Sequence, residues 1–137
     1  MEITKENAKE VLRLVNFGLV AGLGNPIPGQ MCVEAAVCRA LGLEHGDNPP
    51  CVGSAVRAFK IRINDSNCSS SVARAKGLKR LSIAQLGSNE INQIEFVKIL
   101  TRELKEKVWN AAAAAAVDYA AADYAAAAYA AAAYAAY

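Results

Sequence analysis

Residues 30–41 read QMCVEAAVCRAL, and this run decides how the middle of the chain is expected to fold. Val33, Val37 and Leu41 recur every four residues, which is helical spacing, and a glycine follows at position 42, where a helix typically stops. The run therefore predicts a helix. Its one acidic residue, Glu34, is unusual among so many apolar neighbours, and a basic partner such as Arg39 or Arg57 would account for it.

Four further helices are predicted on either side of this run. Glycine- and proline-rich loops over residues 22–29 and 44–50 separate the early ones, because both residue types break helical continuity. Such half-apolar helices must pack together, so we predict an all-α fold, a small irregular bundle of four or five helices. The additional helices are expected from the Thr4 cap to near Gly18, from Pro50 to about Ile63, from about Ser70 to Leu86, and from Asn92 onward.

The last 27 residues contain only alanine, tyrosine, one valine and two aspartates. Alanine has the highest helix propensity, so this segment is predicted to prolong the last helix. Four of its five tyrosines are spaced five residues apart and advance about 140° each, so they spiral around the helix, and no charged face remains. We therefore divide the chain into a compact helical domain, 1–110, and a low-complexity tail, 111–137. Tail-mediated oligomerisation and a repeat expansion without a selected role are the alternatives for this tail.

Several classes of protein and site are not expected from the sequence. No stretch resembles the roughly 20 large apolar residues of a membrane span, and the mixed, acidic N-terminus is unlike a secretory signal. We therefore expect a cytoplasmic location, in which the cysteines are reduced. No Cys-x-x-Cys pair occurs, and the GLG run at 22–24 lacks the strand and third glycine of a phosphate-binding loop. Neither a metal site nor a cofactor site is predicted at the four cysteines, Cys32, Cys38, Cys51 and Cys68.

A thiol enzyme is one functional hypothesis. Cys32 lies near the start of a predicted helix, where the helix dipole favours a thiolate, and His45 and Asp47 follow as a potential base and its orienting acid. Against it, His45 is the only histidine and no strand is predicted to carry it toward the cysteine. A buried cysteine and a loop histidine are the simpler interpretation.

Basic charge is concentrated in the middle of the chain. Residues 51–88 hold seven basic residues against the single acid Asp65, a net charge of +6, whereas the whole chain carries +2. Such a surface binds phosphates through counterion release. We therefore predict a non-enzymatic binding protein whose partner is a nucleic acid or an acidic protein. The alternative is a solvated face paired with the acidic first helix, at Glu2, Glu6 and Glu10. The seven predicted binding residues are Arg57, Lys60, Arg62, Arg74, Lys76, Lys79 and Arg80.

Three stretches carry a resemblance to known sequences: residues 28–38 (PGQMCVEAAVC), 40–43 (ALGL) and 84–88 (AQLGS). On these the chain resembles a group of bacterial and phage open reading frames in which a compact N-terminal domain precedes Ala/Tyr-rich repeats. The resemblance extends over nearly the whole chain. It implies a phage or mobile-element origin and brings neither an activity nor site residues.

Overall fold

A computed structural model describes the backbone of residues 2–112 and the side chains of residues 2–107. The prediction of an all-α fold is confirmed for this part of the chain, which contains no β-strand. The predicted tail, 111–137, lies almost entirely outside the described residues. The helices are α1 (Lys5–Asn16), α2 (Val33–Ala40), α3 (Ser54–Asn64), α4 (Ser71–Ala84) and α5 (Gln93–Ala112), with a short 3₁₀ turn at Ser88–Glu90.

Three of the helices begin where their capping residues predict, α4 at Ser70 among them. Thr4 Oγ1 accepts the Asn7 N–H, and Asn7 Oδ1 accepts the Thr4 N–H in return, so α1 opens on a capping box. Asn92 Oδ1 accepts the N–H of Glu95 at the start of α5. Each cap satisfies an amide that the helix itself leaves without a partner.

Helix α2 lies at the centre of the domain. Every residue from 31 to 38 is buried, and α1, α3 and α4 pack around it. The helix starts at Val33, three residues later than predicted. Met31 is held extended by an isolated β-bridge to Gly24, and Cys32 then serves as the N-cap.

Helix α3 is capped from outside its own sequence. It begins four residues later than predicted, because residues 49–52 form a turn, and its N-cap residue, Gly53, has no side chain. Ser88 Oγ accepts the Gly53 N–H at 3.0 Å, and Gln93 Oε1 accepts the Ala55 N–H at 3.2 Å. The start of α5 is thereby fixed against the start of α3.

The apolar core joins the first four helices. Helix α4 turns Ala75 and Leu78 inward, and its main neighbour is α1. Helix α5 packs on α3 at the edge of this core. In the described part of the chain, no helix is long and apolar enough to cross a membrane. The largest fully buried apolar side chains are Val11, Leu14, Val15, Leu19, Met31, Val33, Val37 and Leu78.

Candidate functional site

Three of the seven basic residues predicted to bind a partner make contacts within the domain. Arg57 donates to both the carboxylate and the backbone carbonyl of Asp47, and its side chain is 29% exposed. Arg74 and Lys60 are more fully engaged. The charged groups of all three are thereby used for contacts that hold the domain together.

Arg74 binds three backbone carbonyls. Its guanidinium donates to the carbonyls of Asn64 at 2.6 Å, Leu19 at 3.3 Å and Ser66 at 3.2 Å. These bonds connect α4 with the end of α3 and with the segment that follows α1. The fixed fork of five N–H donors suits arginine to such multiple acceptors.

Lys60 forms a buried ion pair with Glu34. Its Nζ lies 2.6 Å from Glu34 Oε1, and the two side chains are 1% and 0% exposed. The contact departs from good hydrogen-bond angles, and no other partner is present for either charged group among the described residues. Burial raises the pKa of Glu34 and lowers the pKa of Lys60, while the opposite charge of each partner acts against both shifts.

This pair identifies a partner for Glu34 other than the two suggested by the sequence. Arg39 instead donates to the backbone carbonyl of Pro26 at 2.6 Å. Arg57 contributes only a more distant favourable charge to Glu34. Lys60 makes the contact because it lies one helical turn from Val56 on the inward face of α3.

The remaining basic residues of α4 share one outer face. Lys76, Lys79 and Arg80 are exposed and fall within about 100° of the helix circumference, and Val72 lies in the same sector. We call these four residues the α4 surface. The helix contains no acidic residue to offset this charge. Arg62 is exposed as well, but on α3.

The α4 surface is free of internal ion pairs. Among residues 2–107, no carboxylate lies within ion-pair distance of Lys76, Lys79 or Arg80. Glu10 of the acidic first helix pairs with Arg13 instead. Among the described residues, α1 therefore forms no ion pair with the α4 surface.

The surroundings of α4 leave this surface open. Ser70 caps the helix by accepting the Ala73 N–H at 3.1 Å, and Val72 just beyond it is 68% exposed. A Cβ atom built at Gly77 would meet nothing within 4 Å outside its own helix backbone. Beside the first turn, Leu19 donates its N–H to the Ser71 carbonyl. The chain that follows α1 is thus fixed against the start of α4.

The three residues of the hypothetical thiol site have separate partners. Cys32 Sγ accepts the Ala35 N–H, His45 Nε2 lies 3.0 Å from the Gly24 carbonyl, and Asp47 binds Arg57. In the described part of the chain they form no hydrogen bond with one another. Burial also raises the pKa of Cys32, which disfavours the nucleophilic thiolate.

Cys32 and Asp47, two of these three residues, line the same small cavity. Its volume is about 40 Å³, room for a few water molecules. The carboxylate oxygens of Glu34 contact no solvent, although that residue contributes to the wall. Within the described residues, no group of histidine, cysteine and carboxylate side chains is placed to hold a metal ion. The cavity is lined by Gly22, Leu23, Cys32, Val33, Glu34, Asp47, Ile61, Asn64 and Asp65.

Helical geometry alone could have distinguished most of the inward-facing basic residues from the exposed ones. On α4, Arg74 lies roughly opposite the sector of Lys76 and Arg80 at 100° per residue. On α3, Lys60 shares a face with Val56 and Asn64. Val72 precedes Lys76 by four residues, so the same geometry places it in the exposed sector.

Comparison with known proteins adds no family to this description. No protein-family model, no curated protein and no solved structure matches the chain. The resemblance to bacterial and phage open reading frames therefore stays a prediction.

Proposed function

We propose that the protein binds nucleic acid through the α4 surface. The observation that carries this proposal is the presence of three exposed cations on one helix face, without an ion pair inside the described part of the chain and without an acidic residue in the helix. Each cation that neutralises a phosphate releases condensed counterions, and this release drives binding. Arg57, Lys60 and Arg74 are not part of the proposed site because their charges are used within the domain.

The character of the surface favours phosphate over an acidic protein as the partner. Protein interfaces are centred on buried aromatic or large apolar residues, with charged residues depleted there. The α4 surface offers Val72 as its single large apolar side chain and three cations around it. Such a composition suits the sugar-phosphate backbone, where most protein contacts are charged or polar.

Fluorescence anisotropy with a labelled 20-base-pair DNA duplex, measured over a series of salt concentrations, tests the proposal. Three phosphate contacts should give a slope of about −2.7 when the logarithm of the association constant is plotted against the logarithm of the salt concentration. The triple variant Lys76→Gln, Lys79→Gln, Arg80→Gln should lose most of this slope. Because all three residues are exposed, the variant should retain the wild-type circular dichroism spectrum.

A matched control removes the same charge from a different helix. Lys98, Lys105 and Lys107 are exposed on α5, and their replacement by glutamine changes the net charge equally. This control should retain the wild-type affinity and slope. An equal loss in both triple variants would mean that overall charge, and not the α4 surface, determines binding.

A second candidate function is self-association, and α5 carries the observation that favours it. Ile94 and Ile99 are about half exposed on this helix, as is Ile91 just before it. Ile94 and Ile99 lie about 140° apart around α5, so each of two faces of the helix exposes one apolar side chain that a second copy of the chain could bury. Light scattering on the full chain should then detect a multimer that is insensitive to salt, and Ile94→Ser with Ile99→Ser should convert it to a monomer. A wild-type monomer at both low and high salt would exclude this candidate.

A further inference from the structure

We infer that α4 enters the major groove of duplex DNA, an inference that rests on the proposed function and assigns its substrate class. Three properties of α4 lead to it: its dimensions, its small residues and the directions of its cations.

The dimensions of α4 match the groove. Its 14 residues extend about 21 Å, and an α-helix with side chains is about 10–12 Å wide. The major groove of B-form DNA is about 12 Å wide and 8.5 Å deep, which admits one helix. The rest of the domain lies behind α4, since its buried residues, Ala75, Leu78 and Ser82, all face inward. Most of the outer half of the helix is therefore available, although Ile83 near its C-terminal end is partly buried against the core.

Small residues allow the helix backbone to approach the bases. Ala73 and Ala84 lie on or beside the outer face, and Gly77 there has an empty space of at least 4 Å where a Cβ would be. Val72, at the N-terminal end of the face, is 68% exposed, and apolar side chains in the major groove contact the methyl group of thymine. Larger side chains at these positions would hold the helix away from the bases, at the level of the phosphates.

The directions of the cations suit two walls of phosphate. At 100° per residue, Lys79 lies about 60° to one side of Lys76 and Arg80 about 40° to the other. With Lys76 toward the groove floor, Lys79 and Arg80 therefore point to opposite strands.

Other forms of nucleic acid fit this helix less well. The major groove of duplex RNA is deep and narrow, so side chains cannot read it. Binding to single strands relies on aromatic side chains that stack with the bases, and the α4 surface has none. Duplex DNA is thus the substrate class to which we commit.

The decisive experiment compares two duplexes of identical sequence, measured by anisotropy with the full chain. One contains ordinary cytosine, and the other contains glucosylated hydroxymethylcytosine, which fills the major groove and leaves the phosphates unchanged. We expect at least a tenfold lower affinity for the filled duplex, and a similar loss for a duplex RNA of the same sequence. The same salt series should be recorded for all three.

The outcomes separate this inference from the proposed function. Equal affinity for filled and open DNA, with the salt slope retained, would overturn groove entry while leaving phosphate binding by the α4 surface intact. Absence of binding to any nucleic acid at low salt would overturn both. Val72→Glu, which places an acid at the groove end of the exposed face, should lower affinity for open DNA tenfold or more. Unchanged affinity in that variant would also contradict groove entry.

Discussion

At the scale of single residues, Glu34 and Lys60 form the one ion pair with both side chains buried among the described residues. Taking each ion out of water costs several kcal/mol, and their mutual attraction offsets that cost only while both are present. Neither group has a second partner among the described residues that would compensate for the loss of the first. The pair should therefore be sensitive to single substitutions and tolerant of double ones.

Replacement of Lys60 alone by methionine should destabilise the fold by about 3–5 kcal/mol, because it leaves the Glu34 carboxylate buried without a counter-charge. The double variant Glu34→Leu, Lys60→Met should be as stable as the wild type or more stable, by up to about 4 kcal/mol. Urea unfolding measures both. As a control, Glu10→Ala breaks an exposed pair and should cost less than about 1 kcal/mol. A double variant no more stable than Lys60→Met would contradict this account.

The Lys60→Met variant should also acquire a distinct dependence on pH. Burial holds the pKa of Glu34 above its ordinary value, so the folded state binds a proton that the unfolded state has already released. Stability then falls as pH rises above about 4.3, by at most about 1.4 kcal/mol per pH unit, until the folded-state pKa is passed. Unfolding curves between pH 4 and 7 should show this slope. It should be absent from Glu34→Gln, Lys60→Met, which has no carboxyl group to titrate there.

The cysteines should differ sharply in reactivity. Cys68 is exposed, whereas Cys32, Cys38 and Cys51 are buried and free. Burial raises the pKa of all three buried thiols, that of Cys38 to about 11, so few thiolates form at neutral pH. A thiol reagent at pH 7.5 should modify one cysteine per folded chain and four after unfolding. Rapid modification of Cys32 in the folded protein would restore the thiol-enzyme hypothesis.

At the scale of secondary-structure elements, the start of α3 depends on a residue from another helix. Gln93 accepts the N–H of Ala55, which is buried, and donates to the carbonyls of Ser88 and Ile91. A side chain added at Gly53 would collide with this amide. The contact between α3 and α5 thus includes a hydrogen bond to Gln93 as well as apolar packing.

Gln93→Ala should therefore destabilise the domain by about 1–3 kcal/mol, because the buried amide of Ala55 loses its acceptor. Thermal or urea unfolding measures the change. Asn16→Ala, at an exposed helix end, serves as the control and should change stability by less than about 0.5 kcal/mol. If Gln93→Ala proved equally neutral, the cap would contribute nothing to stability.

The elements were predictable from the sequence to the extent that their signals are local. The capping box at Thr4 involves residues three positions apart, and it set the start of α1 correctly. The late starts of α2 and α3 were missed because a contact from Met31 to Gly24 and a turn at 49–52 compete with helical propensity. The end of α3 at Asn64 lies within one residue of the predicted end near Ile63.

At the scale of the whole molecule, the candidate site was only partly predictable. Composition located the positive charge in residues 51–88, since that requires nothing but counting. It could not distinguish Arg74 and Lys60, whose partners are distant in sequence, from the exposed cations of the α4 surface. Glu34 and Lys60 are 26 positions apart, and only tertiary packing brings them together.

Binding by the α4 surface should be visible in the stability of the whole molecule. A ligand that binds only the folded state stabilises it by about 2.7 kcal/mol at a concentration 100 times its Kd. Thermal unfolding at low salt should therefore shift upward when duplex DNA is added. The shift should vanish at high salt and in the Lys76→Gln, Lys79→Gln, Arg80→Gln variant. A shift retained by that variant would place the DNA elsewhere on the protein.

The buried ion pair between Glu34 of α2 and Lys60 of α3 also constrains how the sequence of this protein can change during evolution. A lineage that replaces either Glu34 or Lys60 alone passes through a poorly folded ancestor, whereas one that replaces both reaches an ordinary apolar core. The two positions should therefore change together or remain fixed. Descendants of this chain would then fall into two groups, one with the acid and the base and one with neither.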